Sequence, residues 1–91
     1  MFATKIKMKS GCYFSQDLTE IDEVFIEGCK NPGYYKKSVL YDFLKENPGS
    51  IQVKRYPYPN LIPVLSVNRE KYVKSSPNEY NRDNLLSLPR E

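Results

Sequence analysis

The sequence predicts an α+β domain. The expected architecture is a small antiparallel β-sheet of four to five strands with one short helix packed on one face, in the order β-β-α-β-β-β. Three observations carry this. The chain has 91 residues, which suits a single domain with a modest core. Period-two alternation of apolar and polar residues recurs in short stretches, as half-buried strands require. Only one stretch has a 3.6-residue apolar period, and a helix of about three turns does not hold alone in water, so it must dock on a sheet.

Thr4 to Lys9 alternates, with Ile6 and Met8 on one side and Lys5, Lys7 and Lys9 on the other. It reads as a strand with one wet face, broken by Ser10-Gly11. Cys12-Tyr13-Phe14 is a short apolar patch before a polar stretch. Ile21 to Glu27 reads as the second strand, ended by Gly28, and Lys30-Asn31-Pro32-Gly33 as a turn. Ser38 to Glu46 is the helix: Val39, Leu40, Phe43 and Leu44 gather into one stripe, and Ser38 is the expected N-cap. Pro48 disfavours helical backbone at Asn47 and ends it.

Ile51 to Tyr56 alternates again, and Tyr56-Pro57-Tyr58-Pro59-Asn60 follows as a stiff connector that resembles a short polyproline segment. Leu61 to Val67 is an apolar strand whose Pro63 assigns it to an edge or a bulge. Asn68-Arg69-Glu70 turns the chain into a short returning strand, Lys71 to Lys74. Residues 75–82 are polar and turn-rich. Residues 83–89 then concentrate Leu85, Leu86 and Leu88; Asp83 or Asn84 caps one helical turn, and the leucines are expected to pack on the single domain spanning 1–91.

Composition excludes several chemistries. There is no His, so Ser-His-Asp and Cys-His catalysis, imidazole metal sites and imidazole acid–base groups are absent. Two Cys cannot close a structural zinc site. No GxGxxG, GxxxxGK[ST] or HExxH motif occurs. Asp17, Glu20, Asp22 and Glu23 lack calcium-loop spacing and read as a solvated edge. The expectation is a protein without catalytic residues, metal or cofactor. No apolar run of about 18 residues exists to span a membrane, and the Lys-interrupted N-terminal residues do not form a signal peptide, so a cytoplasmic location is expected. Cys12 and Cys29 are then reduced thiols; the alternative is a disulfide between them, contributing about 3 kcal/mol in the chain-entropy account.

The net charge of +3 is uneven. Lys5, Lys7 and Lys9 open the chain, Asp17 to Glu27 are acidic, and the surplus of bases lies in the C-terminal half. There, Lys54, Tyr56 and Tyr58, then Arg69, Lys71, Tyr72 and Lys74, interleave bases with aromatics. Sheet surfaces that hold single-stranded nucleic acid combine these groups, Lys and Arg on phosphates and Tyr on bases. These residues form the candidate binding face, as one patch if their two strands lie together. Tyr at amphipathic edges and Lys as protection against edge aggregation account for the same pattern.

The stretch Lys71 to Asn78 and then Asp83-Asn84-Leu85-Leu86-Ser87-Leu88-Pro89 resembles the closing signature of DUF3892, a family of small bacterial and phage proteins. Tyr34-Tyr35, the helix and Ile51-Gln52-Val53 are similar to that family in order and spacing, so the likeness covers about residues 34–89. The chain departs from the pattern in the Tyr56 to Pro63 connector and in a longer Ser10 to Glu20 stretch. The resemblance implies an α+β fold and a bacterial or phage setting, and it assigns no activity. The functional expectation is a binding domain for a protein partner or for a second copy, with Leu61 to Val67 as an available edge. The alternative is a nucleic-acid-binding accessory protein.

Overall fold

A computed structural model describes residues 1–77 and 83–91. The expectation for residues 78–82 lies outside the described residues. The fold is α+β, in the order β-β-β-α-β-β-β: β1 (Phe2–Met8), β2 (Ile21–Glu27), β3 (Gly33–Lys36), α1 (Lys37–Glu46), β4 (Gln52–Val53), β5 (Leu61–Leu65) and β6 (Lys71–Ser75). Short 3-10 turns occupy Leu18–Glu20 and Leu85–Ser87. A four-stranded sheet runs β3-β2-β1-β4, and β5 and β6 form a two-stranded hairpin. No described helix is long and apolar enough to cross a membrane.

Two elements differ from the sequence reading. β3 is an additional strand, where composition pointed only to a turn ending at Gly33. It runs straight into α1 with no breaker between them. Lys36 is extended (φ −61°, ψ 144°) and serves as N-cap without a side-chain bond, so Ser38 lies inside the helix instead of capping it. The sheet is also mixed rather than antiparallel. The chain returns through α1 and lays β4 parallel to β1, with Phe2 opposite Gln52 and Ala3 opposite Val53.

β1 and β2 each carry one extra residue. Thr4 is skipped between the Ala3–Ile26 and Lys5–Phe25 pairs, and Asp22 between Lys7–Glu23 and Met8–Ile21. An inserted residue restarts the alternation. Ala3, Ile6 and Met8 therefore share the inner face with Ile21, Val24 and Ile26, and all six are buried. Gly28 then turns the chain at φ +79°, a conformation that side chains with a Cβ resist.

β4 is only two residues long because the Pro-rich connector folds back at once. Val53 N–H donates to the Pro59 carbonyl at 2.8 Å and Leu61 N–H to that of Ile51 at 2.8 Å. The hairpin is thereby joined to the sheet through Asn60, which bridges to Gln52. Pro63 faces Val73 across the hairpin, and among the described residues β5 pairs with no further strand, which is where a missing N–H does least harm. α1 packs mainly against β5 and β6 and buries Leu40 and Leu44; Val39 remains 53% exposed. Asn47 leaves the helix at φ −133° and donates both its N–H and its side-chain amide to the Phe43 carbonyl.

The closing segment completes the core. Leu85, Leu86 and Leu88 are buried. Asp83 Oδ1 accepts the Leu85 N–H at 2.8 Å, starting the turn. Asn84, itself buried, donates its side-chain amide to the carbonyls of Arg55 (3.0 Å) and Tyr56 (3.1 Å) and so fastens the Pro-rich loop. The chain then runs beside β1: Ile6 N–H donates to the Pro89 carbonyl at 2.9 Å, and Glu91 N–H to that of Ile6 at 3.0 Å. Arg90 holds the Cys12 loop through the carbonyls of Tyr13 (2.8 Å) and Ser15 (2.7 Å). Cys12 and Cys29 are free thiols.

Glu70, in the β5–β6 turn, accepts hydrogen bonds from Lys37 at the start of α1 and from Lys9 after β1. Lys37 also donates to the Thr19 carbonyl at 2.5 Å. The Lys37 ammonium, then that of Lys9, holds the Glu70 carboxyl below its ordinary value of 4.5.

Two outcomes follow from this packing. Leu85→Ala should lower stability by about 3 kcal/mol, as truncation of a fully enclosed leucine does; a urea midpoint near wild type would contradict it. A lowered carboxyl binds protons less readily folded than unfolded. Its stabilisation is therefore present above pH 4.5 and is lost as pH falls through the folded value. Glu70→Gln should flatten the acid-side decline in stability, read from urea midpoints at pH 6 and pH 3.

Candidate nucleic-acid interface

The bulges that send Ala3, Ile6 and Met8 inward send Phe2, Lys5 and Lys7 to the opposite face of the sheet. On β2 the same face takes Glu23 and Phe25, and on β3 it takes Tyr34 and Lys36, set by the pairs Phe25–Tyr34 and Glu23–Lys36. Ile51 and Val53 are buried, so Lys54 alternates onto this outer face at the end of β4. Helix, hairpin and closing leucines all pack on the inner side. The outer face is thus a row of aromatics and lysines crossing the sheet.

The side chains form a connected layer. Phe25 and Tyr34 meet edge to face with ring centroids 5.0 Å apart. Lys5 Nζ stands 4.8 Å from the Phe25 centroid, Lys7 Nζ 6.0 Å from that of Tyr34, and Lys54 Nζ 5.5 Å from that of Phe2. A ring steadies an ammonium by about 0.5–1 kcal/mol at an exposed site without neutralising it. Among the described residues, Lys5, Lys7 and Lys54 make no ion pair, whereas Lys9, Lys36, Lys37 and Lys71 do. Lys36 is held by Asp22 at 3.1 Å and Glu23 at 3.8 Å. Lys5, Lys7 and Lys54 thus bring three lysines without an ion pair among the described residues to this face, which Glu23 and Glu27 share.

Tyr34 is half-buried in this layer. Its hydroxyl is buried with no partner at ordinary hydrogen-bond geometry among the described residues, although the Glu91 carboxylate lies close to it. Burial, and then the Glu91 carboxylate as hydrogen-bond acceptor and as a charge, push the phenol up to about 12.

The face expected from sequence divides among separate places. β4 and β6 do not pair, because β5 lies between them and the Pro-rich loop intervenes. Lys54 joins the sheet face described above. Tyr56 and Tyr58 are exposed in the loop that follows, with rings 6.2 Å apart. Tyr72 and Lys74 share the outer side of the hairpin, opposite Val64 and Ile62. Lys71 points the other way, bonded to Asp42 at 2.7 Å and 5.3 Å above the Tyr41 ring. Arg69 occupies the turn at φ +63°.

Phe2, Lys5, Lys7, Phe25 and Tyr34 escaped the sequence search. Their signal is an outward aromatic beside outward lysines on the first two strands, legible only once both bulges and β3 are known. An apolar cavity of about 170 Å³ lies on the inner side, lined by Met1, Cys29, Tyr35 and Phe43 among others. It is below the 300–1,000 Å³ common for ligand pockets. Among the described residues no cluster of His, Cys, Asp and Glu is placed to hold a metal ion. Comparison with protein-family models, with curated proteins and with solved structures finds no match for this chain.

A phenol raised in the folded state stays protonated while the unfolded chain ionises. The associated stabilisation is intact below pH 10 and is lost as pH climbs through about 12. Wild type should lose stability more steeply than Tyr34→Phe between pH 10 and pH 12, measured by urea midpoints; parallel declines would contradict it.

Proposed function

We propose that this chain is a non-enzymatic binding domain that holds single-stranded nucleic acid across the outer face of its four-stranded sheet. The observation that carries this reading is the set of lysines Lys5, Lys7 and Lys54, without ion pairs among the described residues, standing over aromatic rings on the sheet face opposite the helix, hairpin and closing leucines. Strands about 4.8 Å apart set successive rows of rings and ammonium groups on a flat surface. A single strand offers both complements, planar bases for Phe2, Phe25 and Tyr34 and phosphates for the lysines. A duplex hides its bases and would use only the charges.

A protein partner is the weaker reading. The leucines that pointed to one are spent in the core, and the β5 edge carries Pro63. The likeness to DUF3892 is part of this proposal and carries it to a bacterial or phage setting, with the cytoplasm as the place of action.

Fluorescence anisotropy with a labelled oligothymidylate of about ten nucleotides tests the proposal. Binding should weaken with salt, and Lys5→Gln, Lys7→Gln and Lys54→Gln should each lower the log–log salt slope by about 0.7. Phe2→Ala should cost about 1–3 kcal/mol, the stacking contribution of one base. Lys71→Gln should change little, since Lys71 is already paired with Asp42. No binding at low salt, or equal losses at Lys71 and Lys5, would overturn the reading.

A further inference from the structure

We infer that Glu91 is a built-in competitor on this face: its carboxylate occupies the ground between Tyr34 and Lys7 that a bound strand would need, and binding requires its displacement. The inference rests on the sheet-face reading above and concerns how that site is regulated.

The placement follows from backbone pairing. Residues 89–91 run parallel to β1, with Arg90 bridged to Ile6. Side chains of bridged residues lie on the same side of a sheet and alternate along the chain. Ile6 is buried on the inner face. Arg90 reaches from that side to the carbonyls of Tyr13, Ser15 and Leu86. Glu91 is therefore sent to the outer face, next to Lys7, with its N–H fixed on the Ile6 carbonyl at 3.0 Å.

The chemistry of the spot agrees with this. The Tyr34 hydroxyl is buried with no partner at ordinary hydrogen-bond geometry among the described residues, and Glu91 is the carboxylate that acts on it most strongly. Lys7 stands over the Tyr34 ring and, among the described residues, makes no ion pair. Among the described residues the Glu91 side chain makes no ion pair, so no ammonium holds it in place. A phosphate oxygen reaching the same groups can replace it at small cost, while the anchored Arg90 and Leu88 keep the carboxylate positioned to return. Among the described carboxylates of this face, Glu23 lies opposite Lys7 across the strands and adds to the charge on Tyr34 but is drawn to Lys36 at 3.8 Å, Glu27 lies at the far end of β2, and Glu91 acts on Tyr34 most strongly.

Glu91→Gln removes the charge and keeps the shape. Two readouts test it beside wild type: anisotropy with the same oligothymidylate, and the ionisation of Tyr34 followed by its ring NMR signals. Glu46→Gln on α1 changes net charge equally and serves as control. The expected result is about fivefold tighter binding for Glu91→Gln, a smaller gain for Glu46→Gln, and a Tyr34 ionisation shifted down from about 12. Equal binding with and without the Glu91 carboxylate, or equal gains for the two variants, overturns the inference and leaves the platform standing. Binding in neither form overturns both.

Discussion

The fold depends on how the backbone of β1 is shared. Along one edge β1 pairs with β2 over its whole length. The other edge is divided: β4 takes Phe2 and Ala3, and the closing segment takes Ile6. β4 stops early because the Pro-rich connector turns the chain away, leaving the Ile6 N–H and C=O without a neighbour. Both belong to a residue that is 0% exposed, and buried backbone groups left unpaired are costly. Pro89 and Glu91 supply the missing partners. The same stretch brings Leu85, Leu86 and Leu88 over the inner face, so one segment closes both a hydrogen-bonding gap and an apolar one.

That arrangement makes the molecule one-sided. Helix, hairpin and closing leucines all lie on the inner face, and the outer face carries Phe2, Lys5, Lys7, Phe25, Tyr34 and Lys54 together with Glu23, Glu27 and Lys36. A strand register is unforgiving, because a slip by one residue exchanges its faces. The bulges at Thr4 and Asp22 place that exchange where it is needed and keep aromatics and lysines together on the open side. Acids pair with Lys9, Lys36, Lys37 and Lys71, while Lys5, Lys7 and Lys54 stand over rings instead.

Much of this was legible in the residues. Ile6 and Met8 against Lys5 and Lys7 defined β1, the Val39 to Leu44 stripe defined the helix, and Asn68 to Glu70 defined the hairpin turn. β3 was not, because Gly33-Tyr34-Tyr35-Lys36 is too short to show a period and flows into α1 without a cap. The parallel pairing of β4 was hidden because it depends on the direction in which α1 returns the chain. Of the proposed binding face, only Lys54 was legible. Its other members sit on strands whose wet side looks like ordinary solvated surface until their neighbours are known, and the C-terminal bases that drew attention are parted by β5 and, at Lys71, turned toward the helix.

The central claim is that one face of this sheet is core and the other is a platform for a single strand. Side-chain NMR of the wild-type protein during titration with oligothymidylate tests it most directly. The account predicts ring-current shifts at Phe2, Phe25 and Tyr34 and movement of the Lys5, Lys7 and Lys54 ammonium signals, with the methyls of Leu85 and Leu88 unmoved. Shifts confined to the hairpin and the Lys71 side, with those rings silent, would contradict it.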